Sequence, residues 1–132
     1  MAKIPTYKML IGGEWVGASD GKMFDSVNPA TGEVWARIPE ATEEDVDRAV
    51  RVAHEAFTTG PWSRMTPSER GNHLRRLAEL LADKSEDLGR TESIDTGKML
   101  KETRWQAKYI AEFFQFYAGC GYHLTGIRGD AI

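Results

Sequence analysis

The sequence predicts an α/β chain in which a small antiparallel β-meander is followed by about four helices. Two observations predict it. Over the first 40 residues, short apolar runs alternate with turns rich in glycine, proline and asparagine, the pattern of paired strands. From residue 42 onward, apolar residues recur at spacings of three and four behind capped starts, the pattern of amphipathic helices. With 132 residues, 41% of them hydrophobic, the chain has the apolar surface for one modest core.

The first strand is expected over residues 7–11. Gly12-Gly13 then suits a two-residue hairpin turn, because glycine can take positive φ at both positions, and Glu14-Trp15-Val16 returns. Residues 17–22 are polar and read as a turn. Met23-Phe24-Asp25-Ser26-Val27 is the next strand, followed by the turn residues Asn28-Pro29-Ala30-Thr31-Gly32-Glu33. Val34-Trp35-Ala36-Arg37-Ile38 alternates again and Pro39 ends it. So few short strands need something to cover their apolar face.

The first helix starts at Thr42-Glu43-Glu44-Asp45, with acids in its first turn. Its buried stripe is expected to be Val46, Ala49, Val50, Ala53 and Phe57, and Gly60-Pro61 stops it. Trp62 follows as an expected plug between helices. The second helix opens with Thr66-Pro67-Ser68-Glu69: a hydroxyl cap, a proline suited to the first helical position and a glutamate that reaches back to the cap. Leu74, Leu77, Ala78 and Leu81 form its apolar face. Ser85-Glu86-Asp87 restarts a third helix carrying Leu88 and Ile94, for which Gly97 offers a left-handed C-cap. The last helix is expected from about Leu100 to about Tyr122. Trp105, Ala107, Tyr109, Ile110, Phe113, Phe114, Phe116 and Tyr117 cover more than one of its faces, so it expects neighbours on several sides. The earlier amphipathic helices do not supply them all, and the tail Gly126-Ile127-Arg128-Gly129-Asp130-Ala131-Ile132 is rich in glycine. Together these suggest an incomplete fold.

The charge pattern excludes some functions. The net charge is -3 without a clustered basic surface, which argues against nucleic acid as a partner. No run approaches the ~18 apolar residues of a membrane helix, so no membrane role is expected. The single cysteine forms no internal disulfide and suits a reducing, cytoplasmic compartment.

Chemistry candidates are few. Gly97-Lys98 lacks the rest of a phosphate loop: Glu92 stands at its first glycine and Met99 at its Ser or Thr. In Gly119-Cys120-Gly121 a dinucleotide fingerprint fails at Leu124. Cys120 and His123 are spaced to face each other, but no third group orients the base a reactive thiol needs, so Cys120 reads as structural. His54 and His73 fall on different helices, away from metal-ligand spacing, and read as surface residues. Asp95 stands out. A carboxylate at a helix C-terminus opposes the dipole and needs a compensating group. Lys98 is one answer and a bound cation, taken by carboxylate and backbone oxygens, is the other.

Several of these pieces occur together in a recognisable order: Ile11-Gly12-Gly13-Glu14-Trp15; Val27-Asn28-Pro29-Ala30-Thr31-Gly32-Glu33; Trp62, Arg70, Leu77, Ala78 and Leu81; Glu92-Ser93-Ile94-Asp95-Thr96-Gly97-Lys98; and Tyr117-Ala118-Gly119. In this order the chain resembles the N-terminal part of the NAD(P)-dependent aldehyde dehydrogenase superfamily, over residues 7–126.

The resemblance implies an aldehyde-dehydrogenase-like α/β fold. Residues 1–40 would be its N-terminal meander, 41–126 the helical part flanking the dinucleotide-binding sheet, and 127–132 the start of a connection to a remainder. The family's nucleotide loop, active-site Asn, general-base Glu and nucleophilic Cys would lie beyond Ile132, so no catalytic or cofactor-binding residue transfers, and Cys120 does not match the nucleophile. The implied reaction oxidises an aldehyde through a thiohemiacetal. Hydride passes to NAD or NADP and the thioester is then hydrolysed. The implied partners are the remainder of the fold, other subunits of a homo-oligomer and an aldehyde substrate; the chain alone is expected to be inactive. One site does transfer. Several family members hold a monovalent cation through backbone oxygens just before the Asn-Pro turn and through the Asp of the Asp-Thr-Gly-Lys run, and the resemblance places Ser26, Val27 and Asp95 at those positions, with part of the shell from a later segment. Two alternatives remain open: a non-catalytic helical interaction or oligomerisation module using Trp105, Tyr109, Phe113 and Phe116, and a small enzyme using Cys120 and His123.

Overall fold

The computed structural model describes residues 4–121. The expected helix end at Tyr122, His123, Leu124 and the glycine-rich tail lie outside the described residues. The four strands and four helices follow the expected order. Strands β1 (Met9–Ile11) and β2 (Glu14–Val16) form one hairpin, and β3 (Met23–Val27) and β4 (Val34–Pro39) form another. Helices α1 (Glu43–Thr58), α2 (Pro67–Asp83), α3 (Ser85–Thr96) and α4 (Leu100–Cys120) follow, with a short 3-10 helix at Pro61–Arg64. The described residues divide into two compact units. One runs up to Ser63 and takes in Ile94–Gly97; the other holds Arg64–Ser93 and the residues from Lys98 on.

In the first unit the strands close as two antiparallel hairpins rather than one continuous ladder. Gly12 and Gly13, at φ 63° and 84°, turn the first one. The edge of β4 away from β3 is taken by residues 5–7 instead of β2. Tyr7 N–H donates to the Arg37 carbonyl and Arg37 N–H to the Pro5 carbonyl, both at 2.9 Å. Tyr7 therefore bonds to β4 and the first strand begins only at Met9. Ile11, Ala18 and Ala36 are buried here.

The start of α1 is fixed by a buried carboxylate. Asp45 Oδ2 accepts from the backbone N–H of Thr42 and of Ser19, each at 3.0 Å, and from both their hydroxyls. In return the Thr42 hydroxyl accepts from Asp45 N–H, completing a capping box. These donors favour the ionised form and hold the Asp45 carboxyl below its ordinary value of 3.8, the Thr42 backbone N–H contributing most. A depressed folded-state pKa gives stability that is present above the ordinary value and lost as pH falls through the lowered one. Asp45→Asn should therefore lower the urea midpoint at pH 7, and the gap to wild type should shrink at pH below about 4. A gap that is equal at both pH values would contradict this role.

The buried face of α1 differs from the expected one. Val46, Val50 and Phe57 are 52%, 61% and 77% exposed, and Ala53 is exposed as well. The covered residues are Asp45, Ala49 and Val52, at spacings of four and three on an adjacent stripe. The reason is the β1–β2 turn. A side-chain carbon at Gly12 would stand only 3.2 Å from Val52 Cγ1, so the bare turn rests on Val52 and fixes the helix rotation. Trp62, expected as a plug, is 44% exposed in the 3-10 helix.

In the second unit α2 begins at the expected cap. Thr66 accepts from Glu69 N–H at 3.3 Å, Glu69 accepts from Thr66 N–H at 2.7 Å, and Pro67 is the first helical residue. Gly71 and Ala78 are its buried residues, with Leu74 and Leu81 half-covered and Leu77 39% exposed. They face α4, whose own buried residues are Thr103, Ala107, Ala111 and Ala118. Small residues on both sides let the helix backbones approach closely. At Gly71 an added side-chain carbon would come within 2.6 Å of the Ala118 carbonyl oxygen. Gly89 of α3 lies as close to Arg104 of α4, and Glu86 pairs with the Arg104 guanidinium, at 2.9 Å from Nε.

The apolar surplus on α4 is exposed, as its breadth in the sequence suggested. Trp105 stacks on Tyr109 at 4.8 Å, and Tyr109 meets Phe113 edge-on at 4.8 Å, one helical turn after another. Phe116 and Tyr117 continue the ridge, 66% and 59% exposed. No described helix is long and apolar enough to cross a membrane.

Candidate functional site

The Ser26, Val27 and Asp95 set lies within the first unit. The turn after Val27 is tied by its own polar groups. Asn28 N–H donates to the Glu33 carbonyl at 2.9 Å, Gly32 N–H to the Asn28 carbonyl at 2.8 Å, and the Asn28 side-chain oxygen accepts from Ala30 N–H at 2.9 Å. This is the local folding that Asn before Pro and Gly at the exit dictate. It fixes where β3 ends.

Ser26 pairs with Ala36 and Val27 with Val34, so one residue of β4, Trp35, is extra. Such a β-bulge leaves the extra residue out of the ladder and re-aims its side chain. The half-buried Trp35 ring meets Tyr7 edge-on at 6.0 Å, and its Nε1–H donates to Ser26 Oγ at 3.0 Å. Ser26 Oγ–H in turn donates to Asp95 Oδ1 at 2.7 Å. Asp95 is exposed in the last turn of α3, and Gly97, at φ 75°, turns the chain behind it against Pro29.

The structure thus brings Ser26 and Asp95 into contact, with Val27 next on the strand. Asp95 accepts from the Ser26 hydroxyl, and the Lys98 ammonium lies 2.6 Å from Glu92. Hydroxyl, carboxylate and backbone oxygens are all hard donors. They carry a single formal negative charge, and among the described residues no group of three or more His, Cys, Asp and Glu is placed to hold a metal ion. Oxygen donors of this kind suit hard cations rather than metals that prefer nitrogen or sulfur.

The remaining candidates are separate from this site. Gly97 is a left-handed C-cap, as its position after Thr96 suggested. Cys120 is a free, half-buried thiol in the last position of α4, and its expected companion His123 lies outside the described residues. His54 and His73 are exposed on different helices. Sequence reasoning missed Trp35. Its only signal would have been the odd count of residues between two paired positions, which alternation alone does not reveal.

The model of the aldehyde dehydrogenase family matches residues 15–130. A dehydrogenase of Acinetobacter baylyi acting on (Z)-2-((N-methylformamido)methylene)-5-hydroxybutyrolactone is 46% identical over 103 residues, covering 78% of this chain and 21% of its own. Among solved structures, a mutant aldehyde dehydrogenase of Bacillus cereus superposes with a TM-score of 0.84 at 40% identity, over 96% of this chain and 26% of its own. An NAD-dependent aldehyde dehydrogenase of Sinorhizobium meliloti gives 0.83 at 36% identity, over 87% and 23%. The chain spans about a fifth to a quarter of the length of these proteins.

Proposed function

The chain belongs to the aldehyde dehydrogenase family, and from that membership we propose that it is the N-terminal part of an enzyme oxidising an aldehyde to a carboxylic acid with NAD or NADP. The family match over residues 15–130 carries this reading. In it the nucleophile, the general base and the nicotinamide site belong to other parts of the polypeptide. When bound, the nicotinamide supplies the hydride acceptor. The described residues contribute scaffold: two hairpins, a close-packed helix group and the Ser26–Asp95 pair. The exposed ridge from Trp105 to Tyr117 is covered by the remainder of the dehydrogenase fold or by another subunit of a homo-oligomer. A cytoplasmic compartment is part of the same reading, supported by the single cysteine.

A second reading, a non-catalytic interaction module, is favoured by the same ridge. One preparation separates the two. The 132-residue chain is run on size exclusion with light scattering, and its fractions are assayed with aldehydes and NAD or NADP for reduced nicotinamide. A broad, concentration-dependent profile without turnover is expected from a dehydrogenase segment. A single species at 14.8 kDa or a small multiple favours the module. Turnover by the isolated chain would overturn the placing of the catalytic groups elsewhere.

The cation site belongs to this proposal. Backbone oxygens of Ser26 and Val27 with the Asp95 carboxylate would hold a monovalent ion such as potassium, and the ion would tie the end of β3 to the end of α3. Replacing choline chloride by potassium chloride at constant ionic strength should raise the melting temperature, and Asp95→Ala should remove the rise. A wild-type melting temperature that ignores potassium would count against the site.

A further inference from the structure

We propose that Trp35 is a positioning residue for the Ser26–Asp95 pair, acting through the Ser26 hydroxyl; this rests on the cation reading above. An indole N–H only donates, and a serine hydroxyl has one proton. At 3.0 Å Trp35 Nε1–H occupies an acceptor direction of Ser26 Oγ, so the Ser26 proton turns to another acceptor, and Asp95 Oδ1 stands 2.7 Å away. The three side chains form a directed chain from indole to hydroxyl to carboxylate. Each hydrogen bond polarises the next, so the serine is a better donor to Asp95 than it would be alone.

The backbone is arranged for this chain. With regular pairing, successive side chains of β4 alternate between the two faces. Ser26 lies opposite the fully buried Ala36 in that regular register; the bulge comes one step later, where Val27 pairs with Val34 and Trp35, left out of the ladder, directs its indole N–H to Ser26. Tyr7, bonded through its N–H to the Arg37 carbonyl, places its ring edge-on to the Trp35 ring and limits how the indole can turn. The hydroxyl is thus aimed by a half-buried ring at a carboxylate 69 residues further along the chain. Trp35 itself supplies no oxygen and is not a ligand. It sets which way the Ser26 hydroxyl points and keeps Asp95 at the end of β3 without a cation.

Removing the indole N–H while keeping a ring isolates this role. In Trp35→Phe the fold should persist, and the potassium concentration giving half the rise in melting temperature should increase several-fold, less than the roughly 10- to 100-fold lost when a direct partner of a metal ligand is removed. The second readout is the indole N–H proton resonance of Trp35, assigned by its absence in Trp35→Phe. It should move on potassium titration in wild type and lose its response in Ser26→Ala. If wild type responds to potassium in both readouts and Trp35→Phe keeps the same midpoint, the positioning role is overturned while the cation site stands. If wild type shows no potassium response in either readout, the cation site falls and the positioning role with it. Should Trp35→Phe prove too unstable to melt, Ser26→Ala decides alone: a set of indole N–H signals in which none responds to potassium or to Ser26→Ala overturns the proposal.

Discussion

Gly89→Ala should destabilise the protein by about 1–3 kcal/mol, although alanine is the better helix former. Two effects oppose each other at this position. In a helix interior, replacing glycine by alanine gains about 1 kcal/mol of helix propensity. Against that, the new carbon would lie 2.7 Å from Arg104 Cα and N and 3.0 Å from the Thr103 carbonyl carbon. These are backbone atoms of α4, not the far end of a flexible side chain, so one helix must move as a body. The movement would also part Glu86 from Arg104 and loosen the packing around Thr103, which has no exposed surface. Gly89→Val, with two further methyl groups in the same place, should prevent α3 from docking. Gly119→Ala is the control, because a carbon there meets nothing within 4 Å. Urea titration followed by helical circular dichroism should give a lower midpoint for Gly89→Ala and an unchanged or higher one for Gly119→Ala. Two alanine variants that both stabilise would show that the α3–α4 approach is looser than described.

Gly97→Ala should cost about 1–2 kcal/mol for a different reason, the left-handed backbone that any side chain resists. Gly97 has φ 75°, and a carbon placed on it would press on Pro29 at 3.3 Å. Asparagine tolerates this conformation better than alanine, so Gly97→Asn should recover part of the loss. The strain acts two residues after Asp95. Gly97→Ala should therefore also weaken the response to potassium, whereas Gly89→Ala should leave it intact. An alanine variant as stable as wild type, or asparagine no better than alanine, would remove the strain argument.

Local chemistry was the legible part of the fold. Gly12-Gly13, Asn28-Pro29, Thr66-Pro67 with Glu69, and Gly97 each act on backbone within a few residues, and each marks an element boundary in the structure. What alternation and periodicity left open was rotation and partner. On α1 two neighbouring stripes, one with Val46 and Val50 and one with Ala49 and Val52, are both apolar enough to be buried. The choice between them is made by the glycine turn that rests on Val52, a contact with a distant part of the chain. On α2 and α4 the covered residues are the small ones, because close backbone approach excludes the larger leucines and aromatics. At the candidate site Ser26, Val27 and Asp95 were named from motif order. Trp35 was out of reach because a bulge changes facing without changing composition.

The first unit is discontinuous, since Ile94–Gly97 return to it after Arg64–Ser93 have been laid down elsewhere. On the ribosome this becomes a matter of timing. Ser26 precedes Asp95 by 69 residues, and at roughly 5–20 residues per second its carboxylate partner is synthesised about 3–14 s later. β-Hairpins form within microseconds, so their own closure is far faster than the arrival of that partner. Completion of the first unit is therefore clocked by translation, and the nascent hairpins wait for the end of α3 rather than for their own folding.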